Sequence, residues 1–382
     1  MKILHASDLH LGKTLHERDL VPDQAAMLDQ LLAAAVEHDP AALVIAGDVY
    51  DKAVPPPEAV SLLGNFLGRV KEARPDLGVL VIPGNHDSPA RLGFGDSLFR
   101  RAGVHVRTRP EDAAEPVVLE RDGERLYLWA LPFLGAGAFP DAPRSQSGRF
   151  RAALDLIVPR LAGDGANVLV CHAFAAGGLA SESERVFLGS AELVDADAFE
   201  PFDYVALGHL HRPQKAGPKG RYPGSPLGYS FSEAGQEKGF LLVEVRRGGF
   251  EAVPVPVKPL RPLSRLEGSY ADLLESGAGR AEKDHYLEIL LTDPEPVVSP
   301  VESLRRVFPN LLSLRQAAFE NPSLGEAEAA EAPARASASR DGAGAALEDF
   351  LAFHRAVRGA DPEPPVLELF RELLSEAADA AP

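Results

Sequence analysis

Five short motifs, each placed where an apolar run ends, carry the residues best suited to chemistry. They are Asp8-Leu9-His10, Gly47-Asp48-Val49-Tyr50-Asp51, Gly84-Asn85-His86-Asp87, His172 and Gly208-His209-Leu210-His211. Together they supply carboxylates, an amide and imidazoles, but no thiolate. Two-metal phosphoryl chemistry needs a bridging carboxylate, flanking ligands that keep the metals about 3.5–4 Å apart, and an open edge for a nucleophilic water. Asp48 is the natural bridge. Asp8, His10 and His211 can complete one metal site, and Asn85, His172 and His209 the other. The ions would lower the pKa of a shared water and offset the charge that builds on the phosphoryl oxygens. His86 is not needed as a ligand and is left to protonate or stabilise the departing oxygen. Behind these residues, Asp87 is expected to support His86 by hydrogen bonding, and Asp51 to fix the Asp48 loop or a histidine. The nitrogen and oxygen donor set suits manganese or iron and leaves zinc, nickel and cobalt open. Any one fragment would be a weak signal, since a lone Asp-x-His is more often a turn. All five in this order make chance a poor explanation.

Such scattered residues must be gathered by a sheet. Short β-rich runs at Met1–Ala6, Ala42–Ala46, Val79–Ile82, Leu126–Leu131, Asn167–Val170 and Tyr204–Leu207 alternate with helical stretches, the pattern of an α/β sandwich. Between the first two, Met27, Leu28, Leu31, Leu32, Ala35 and Val36 repeat at helical spacing, with Pro22 near the start. A ligand follows nearly every motif-bearing strand, as expected where loops at carboxyl ends of strands build a crevice. Gly47, Gly84 and Gly208 would let the chain turn sharply out of the sheet. Gly239–Val245 and Phe250–Val257 read as an antiparallel pair.

The chain has 382 residues, 45% of them hydrophobic, and a single cysteine, Cys171. An internal disulfide is therefore excluded, and a reducing compartment, the cytoplasm, is the simplest expectation. The start meets a polar motif before a signal-peptide core could form, and no apolar stretch approaches membrane-spanning length. The formal net charge of -17 argues against nonspecific clamping of nucleic acid by the whole surface. The excess is uneven: residues 1–258 carry 27 basic against 34 acidic side chains, and residues 259–382 carry 12 against 22.

After Val257, Lys258-Pro259-Leu260-Arg261-Pro262 reads as a linker into a smaller α/β unit, with Tyr286–Leu291 as a strand and Pro300–Phe308 as a helix. Residues 321–344 are low in complexity and read as a tether. Two helices are expected beyond it, Leu347–Val357 and Val366–Ala377, with apolar stripes of Leu347, Phe350, Leu351 and Val357, then Val366, Leu369, Phe370, Leu373 and Leu374. A detached helix pair has little core of its own, so docking on a partner helix is favoured over folding back.

The motifs resemble the calcineurin-like metallophosphoesterase superfamily, and the wider sequence is similar to the SbcD family of bacterial nuclease subunits. The segments that carry the likeness are Ser7-Asp8-Leu9-His10-Leu11-Gly12-Lys13, the run from Phe202 to His211, and Tyr222-Pro223-Gly224-Ser225-Pro226. Leu9 departs from the aromatic residue common there, but it is not a ligand. The resemblance implies a metallophosphoesterase β-sandwich flanked by helices at 1–258, a capping domain at 259–320 that helps position DNA, a linker at 321–344, and a helical SbcC-binding segment at 345–382. It implies two divalent ions, manganese, and a DNA exonuclease and endonuclease acting on duplex ends and hairpins in repair, recombination or replication. The partner would be an SbcC-like coiled-coil ATPase, around a homodimer within a heterotetramer, cytoplasmic and on the nucleoid when bound to DNA.

Lys13, Arg18, Lys52, Arg91 and Arg212 lie in or just after the motif loops, where they could meet DNA phosphates or simply aid solubility. Tyr222 and Ser225 could touch backbone or base, or belong to a proline-rich turn. His5, His16, His38, His105, His285 and His354 read as structural, and Cys171 as a small buried apolar residue. Two rival functions remain: a related phosphoesterase acting on nucleotides or phosphoproteins, and a noncatalytic DNA-end scaffold that keeps metal only for structure.

Overall fold

The computed structural model describes residues 1–143, 145–175, 178–179, 181, 193–319, 347, 350–351, 354–355, 361–362, 364 and 366–371. These residues group into two compact units. The first consists of Met1–Arg265, Ala281–Glu288 and Phe308–Ser313; the second takes Leu266–Arg280, Ile289–Val307 and the described residues from Leu314 onward.

The first unit is built on two six-stranded sheets. One contains β1 (Lys2–Ala6), β4 (Ala42–Ala46), β5 (Gly78–Ile82), β6 (Val104–Val106), β13 (Gly239–Arg246) and β14 (Gly249–Pro256), in the order β14-β13-β1-β4-β5-β6. The other contains β7 (Val117–Arg121), β8 (Glu124–Leu131), β9 (Ala166–His172), β10 (Tyr204–Gly208), β11 (Gln214–Ala216) and β12 (Gly220–Tyr222), in the order β11-β12-β10-β9-β8-β7. A small hairpin, β2 (Thr14–Leu15) with β3 (Arg18–Asp19), follows the first motif.

Side chains alternate across a strand, so each central strand serves two cores at once. Ile3, Ala42, Val44, Ala46, Leu80 and Ile82 meet Leu126, Leu128, Val168, Val170, Tyr204 and Ala206 between the sheets. The intervening Leu4, Leu43, Ile45, Val79 and Val81 pack outward with Met27, Leu28, Leu31, Leu63, Phe66 and Val70. The latter come from helices α1 (Val21–Glu37) and α2 (Pro57–Ala73). On the opposite outer face, Trp129, Leu169, Val205 and Leu207 pack with Phe150, Ala153, Leu154 and Ile157. The result is the expected α/β sandwich with helices outside two sheets. Strands buried on both faces read as unbroken apolar runs, which is why β4 has the bounds its composition suggests. Pro22 stands in the first turn of α1. Val36 leaves the expected apolar stripe and is 51% exposed.

The parallel order β1-β4-β5 and the parallel pair β9-β10 bring motif-bearing strand ends to one rim. The second unit holds the helices Tyr270–Ser276 and Pro300–Val307, which pack against each other. Ser269 caps the first, accepting from the Asp272 N–H. Strands Leu263–Gly268, Tyr286–Leu291 and Leu311–Gln316 form a three-stranded sheet with the middle one central. Residues 321–344, read as a tether, lie outside the described residues, as do Val357, Leu373 and Leu374. Of the expected tail stripes, Phe350 and Phe370 stack with ring centroids 3.9 Å apart.

Candidate metal centre

Two loops are zipped together at the rim. The Asp8 N–H donates to the Gly47 carbonyl at 3.0 Å, the His10 N–H to the Asp48 carbonyl at 3.0 Å, and the Leu11 N–H to the Val49 carbonyl at 2.9 Å. Both loops are strongly bent. Asp8 (φ 55°), His10 (φ 45°), Asp48 (φ 47°) and His209 (φ 113°) all occupy the left-handed region. Backbone of this kind costs about 1–3 kcal/mol per residue and persists where the surroundings enforce it, commonly at functional sites.

The glycines answer to space as well as to turning. Gly47 has φ 90°, and a Cβ there would strike the His172 ring. Gly84 and Gly208, expected to turn the chain, have no positive φ; a Cβ on them would strike Asp48 and the Ala46 carbonyl respectively.

Asp8, His10, Asp48, His172, His209 and His211 are all at most 5% exposed, while Asn85 and His86 are half-buried at the open edge. Ligand atoms of Asp8, His10 and His211 lie within 4.8 Å of one another, as do those of Asp8, Asp48 and His172, and those of His10, Asp48 and His86. Asp48 is common to two of these groups. His10 Nε2 and His211 Nε2 are 3.1 Å apart. Asn85 Oδ1 is 3.0 Å from His172 Nε2 and 3.0 Å from His209 Nδ1. With metal–ligand bonds of about 2.1 Å, two ligands at a right angle on one ion are about 3 Å apart.

The acceptor groups behind the rings set which nitrogens face inward. His172 Nδ1 donates to the Ala46 carbonyl at 2.9 Å, which leaves Nε2 facing Asn85 Oδ1 and, at 3.5 Å, Asp48 Oδ2. His10 Nδ1 is 3.4 Å from Asp51 Oδ1, and His211 Nδ1 is 3.4 Å from Glu233 Oε1, so both rings turn Nε2 inward. Lone pairs thus converge on lone pairs, an arrangement a cation satisfies. Without one, a proton has to serve. Burial disfavours the charged His172 ring, but Asp48 and Asp8 outweigh it and hold its pKa up at about 9. Asp48 is buried too, yet His172 and His10 keep it well below the usual carboxylate range. Asp8 is raised to about 6 by burial, against the pull of His172 and His211. Burial lowers His10 to about 4 and His209 to about 3, so both rings are neutral and able to ligate near neutral pH.

His86 stands at the edge of this cluster, its Nε2 3.9 Å from Asp48 Oδ2. Its Nδ1 donates to the Asp51 carbonyl at 2.8 Å, and its N–H donates to Asp48 Oδ1 at 2.9 Å. Asp87, expected to orient His86, accepts instead from three backbone N–H groups, those of Val49, Tyr50 and Gly84, at 2.9–3.0 Å. It ties the second motif to the third. Burial and the charge of Asp48 raise Asp87 to about 6.

Lys13 is withdrawn from the expected basic group. Its Nζ is 2.7 Å from Asp51 Oδ1 and its side chain is only 18% exposed, so its charge is committed to the carboxylate behind His10. Arg18, Lys52, Arg91 and Arg212 are exposed, and Arg18 donates to Asn310 Oδ1 at 3.3 Å. Tyr222 and Ser225 face inward: Tyr222 Oη donates to the Ala173 carbonyl at 2.6 Å, and Ser225 is fully buried. Cys171 is buried, which pushes its thiol pKa up. His5 is buried and hydrogen-bonded to Tyr204 Oη at 2.8 Å.

Several supporting residues belong to none of the motifs. Gln24 donates to the His10 carbonyl at 2.7 Å and accepts from the Gly12 N–H at 2.9 Å, and Tyr229 Oη donates to the Leu9 carbonyl. Glu233 and Lys238 back His211. They sit in polar or helical stretches with no local signature.

Residues 1–213 match the family model of the calcineurin-like phosphoesterases. Residues 259–353 match the SbcD C-terminal model, described as the Type 5 capsule protein repressor C-terminal domain. Among solved structures, the chain is similar to TT1561 of Thermus thermophilus, at 15% identity over 66% of this chain and 98% of that one, with a TM-score of 0.38. It is also similar to GAP50, the anchor in the inner membrane complex of Plasmodium, at 11% identity over 82% and 96%, with a TM-score of 0.38. Among the described residues, no helix is long and apolar enough to cross a membrane.

Proposed function

This chain belongs to the calcineurin-like phosphoesterase family and is an SbcD-like metallophosphoesterase, and from that premise we propose that it is the nuclease subunit of an SbcCD-type complex. The substrate is DNA, cut at duplex ends and at hairpins, in repair, recombination or replication. The observation that carries the chemistry is the buried convergence of ligand atoms around Asp48. The observation that favours DNA over a small phosphoester is the SbcD-type C-terminal match, which a minimal phosphatase does not need.

Asp8, His10 and His211 would hold one divalent cation and Asn85, His172 and His209 the other, with Asp48 shared. When bound, such a pair, manganese in this proposal, supplies a nucleophile at neutral pH and offsets charge on the phosphoryl oxygens. The residues themselves do the positioning. Asp51 turns His10, the Ala46 carbonyl turns His172, and Asp87 locks the Asp48 and Asn85 loops together. With its Nδ1–H committed to the Asp51 carbonyl, His86 keeps Nε2 on the side of Asp48, at the edge of the cluster, where it would carry a proton for the departing oxygen.

The test is manganese-dependent release of nucleotides from linear duplex DNA, set against turnover of a phosphomonoester or a phosphoprotein. A preference for the small or protein substrate would move the chain to the rival phosphatase reading. His86→Ala is expected to lower DNA cleavage by about 10²- to 10⁴-fold while manganese binding survives. Unchanged cleavage would remove His86 from this role, and an inert wild-type protein that still binds metal would point to a scaffold.

In the assembled complex, the segment 345–382 would bind a helix of an SbcC-like coiled-coil ATPase, within a heterotetramer built on a homodimer in the cytoplasm. Residues 259–320 would cap the nuclease domain of residues 1–258 and help position DNA.

A further inference from the structure

His211 is gripped from behind by a buried ion pair that belongs to none of the five motifs. Glu233 ends the short turn Phe231–Glu233 and is 2% exposed; Lys238 is 9% exposed. Lys238 Nζ lies 2.6 Å from Glu233 Oε2 and donates to the His211 carbonyl at 2.7 Å and to Ser225 Oγ at 3.1 Å. The Ser225 N–H donates to the same His211 carbonyl at 3.1 Å, so both lone pairs of that oxygen are used. Glu233 Oε1 faces His211 Nδ1 at 3.4 Å. The pair therefore holds one residue at both ends, at its main-chain oxygen and at its ring.

Burying two charges is expensive, and well-packed apolar side chains of similar volume usually support a fold as well or better. The expense has a return here if the ring's orientation matters. An imidazole offers a lone pair at Nε2 only when Nδ1 carries the proton, and a carboxylate at Nδ1 selects that tautomer. Lys238 in turn keeps the carboxylate in place.

We propose that Glu233 and Lys238 are positioning residues for His211, holding its Nε2 toward Asp8 and His10 so that one of the two cation sites is preformed. This deepens the proposed function and rests on it. The second site is set differently, because His172 is oriented by a neutral main-chain carbonyl. Loss of the pair should consequently weaken one ion and spare the other.

The experiment is titration of the full chain with Mn²⁺ alone, followed by calorimetry and electron paramagnetic resonance, with thermal midpoints recorded in chelator. The variants are Glu233→Gln, which keeps an acceptor in place, and the double variant Glu233→Met with Lys238→Met. Wild type is expected to bind two ions. The double variant should fold with a thermal midpoint close to wild type and bind one ion about 10- to 100-fold more weakly, the second being unchanged. Glu233→Gln should fall between the two. A folded double variant that binds both ions as tightly as wild type overturns the inference, as does one that loses both ions in step with its thermal midpoint. If the double variant does not fold, Glu233→Gln decides alone, and undiminished binding of both ions overturns the inference. Wild type that binds no Mn²⁺ would overturn the metal-centre reading itself, an outcome distinct from the rest.

Discussion

His172 Nε2 stands 3.5 Å from Asp48 Oδ2, and both side chains are almost fully buried. The relationship couples protons, metal and stability in one place. In chelated protein His172 carries a pKa of about 9 against its ordinary 6.5, so its charge contributes stability that is fully present below about pH 6.5 and is lost as pH rises through about 9. The contribution is on the order of 3 kcal/mol. The thermal midpoint of chelated protein should therefore fall between pH 6.5 and 9. With saturating Mn²⁺ most of this fall should disappear, because metal displaces the same proton and binds better as pH rises, offsetting the loss. Parallel curves with and without metal would refute the link.

Asp87 is expected to matter for folding more than for reacting groups. Its carboxylate accepts three backbone N–H groups that join the Asp48 and Asn85 loops. Asp87→Ala strands those donors in a buried setting, at a cost of about 3 kcal/mol or more. Denaturant unfolding in chelator measures this directly, and a loss under about 1 kcal/mol would show the bonds to be dispensable.

The exposed cations Arg18, Lys52, Arg91 and Arg212 should act together on a polyanion. Changing all four to Ala should weaken duplex DNA binding and reduce the salt dependence of log K by about 0.9 for each phosphate no longer neutralised. Turnover of a small phosphodiester should stay within about twofold of wild type, since contacts to flanking phosphates position a polymer and have no counterpart in a substrate with a single phosphate. A fall in both would place these residues at the reaction centre instead. Lys13 is left out of the set, because its charge is already paired with Asp51.

Deleting residues 345–382 should spare manganese-dependent cleavage of a small phosphodiester and abolish co-purification with an SbcC-like ATPase. A truncated chain that still binds the ATPase would show the docking segment to lie elsewhere.

Much of the sandwich was legible because its central strands are apolar on both faces. Ala42–Ala46 needs no partner to be recognised, and Pro22 marks the start of α1. Strands such as β6 (Val104–Val106) and β11 (Gln214–Ala216) were not legible. They are three residues long, and their strand character comes from the neighbours they pair with rather than from their own pattern. Val36 continues the apolar series of α1 by type, yet its side of the helix meets solvent. Lys13 looked like an available cation because Asp51 lies 38 residues away in the chain.

For the centre itself, the amino-acid sequence alone determined the candidate donors: which carboxylates, amide and imidazoles follow which strands, and hence the two-metal phosphoester chemistry proposed for them. Only the tertiary structure decided which nitrogen of each ring faces inward and which charges are already spent. Donor chemistry is a property of residue type and local spacing. Ring orientation depends on partners remote in sequence, such as the Ala46 carbonyl 126 residues from His172 and the Glu233 carboxylate 22 residues from His211. Those partners meet only once the tertiary fold has formed, so no local pattern could have named them.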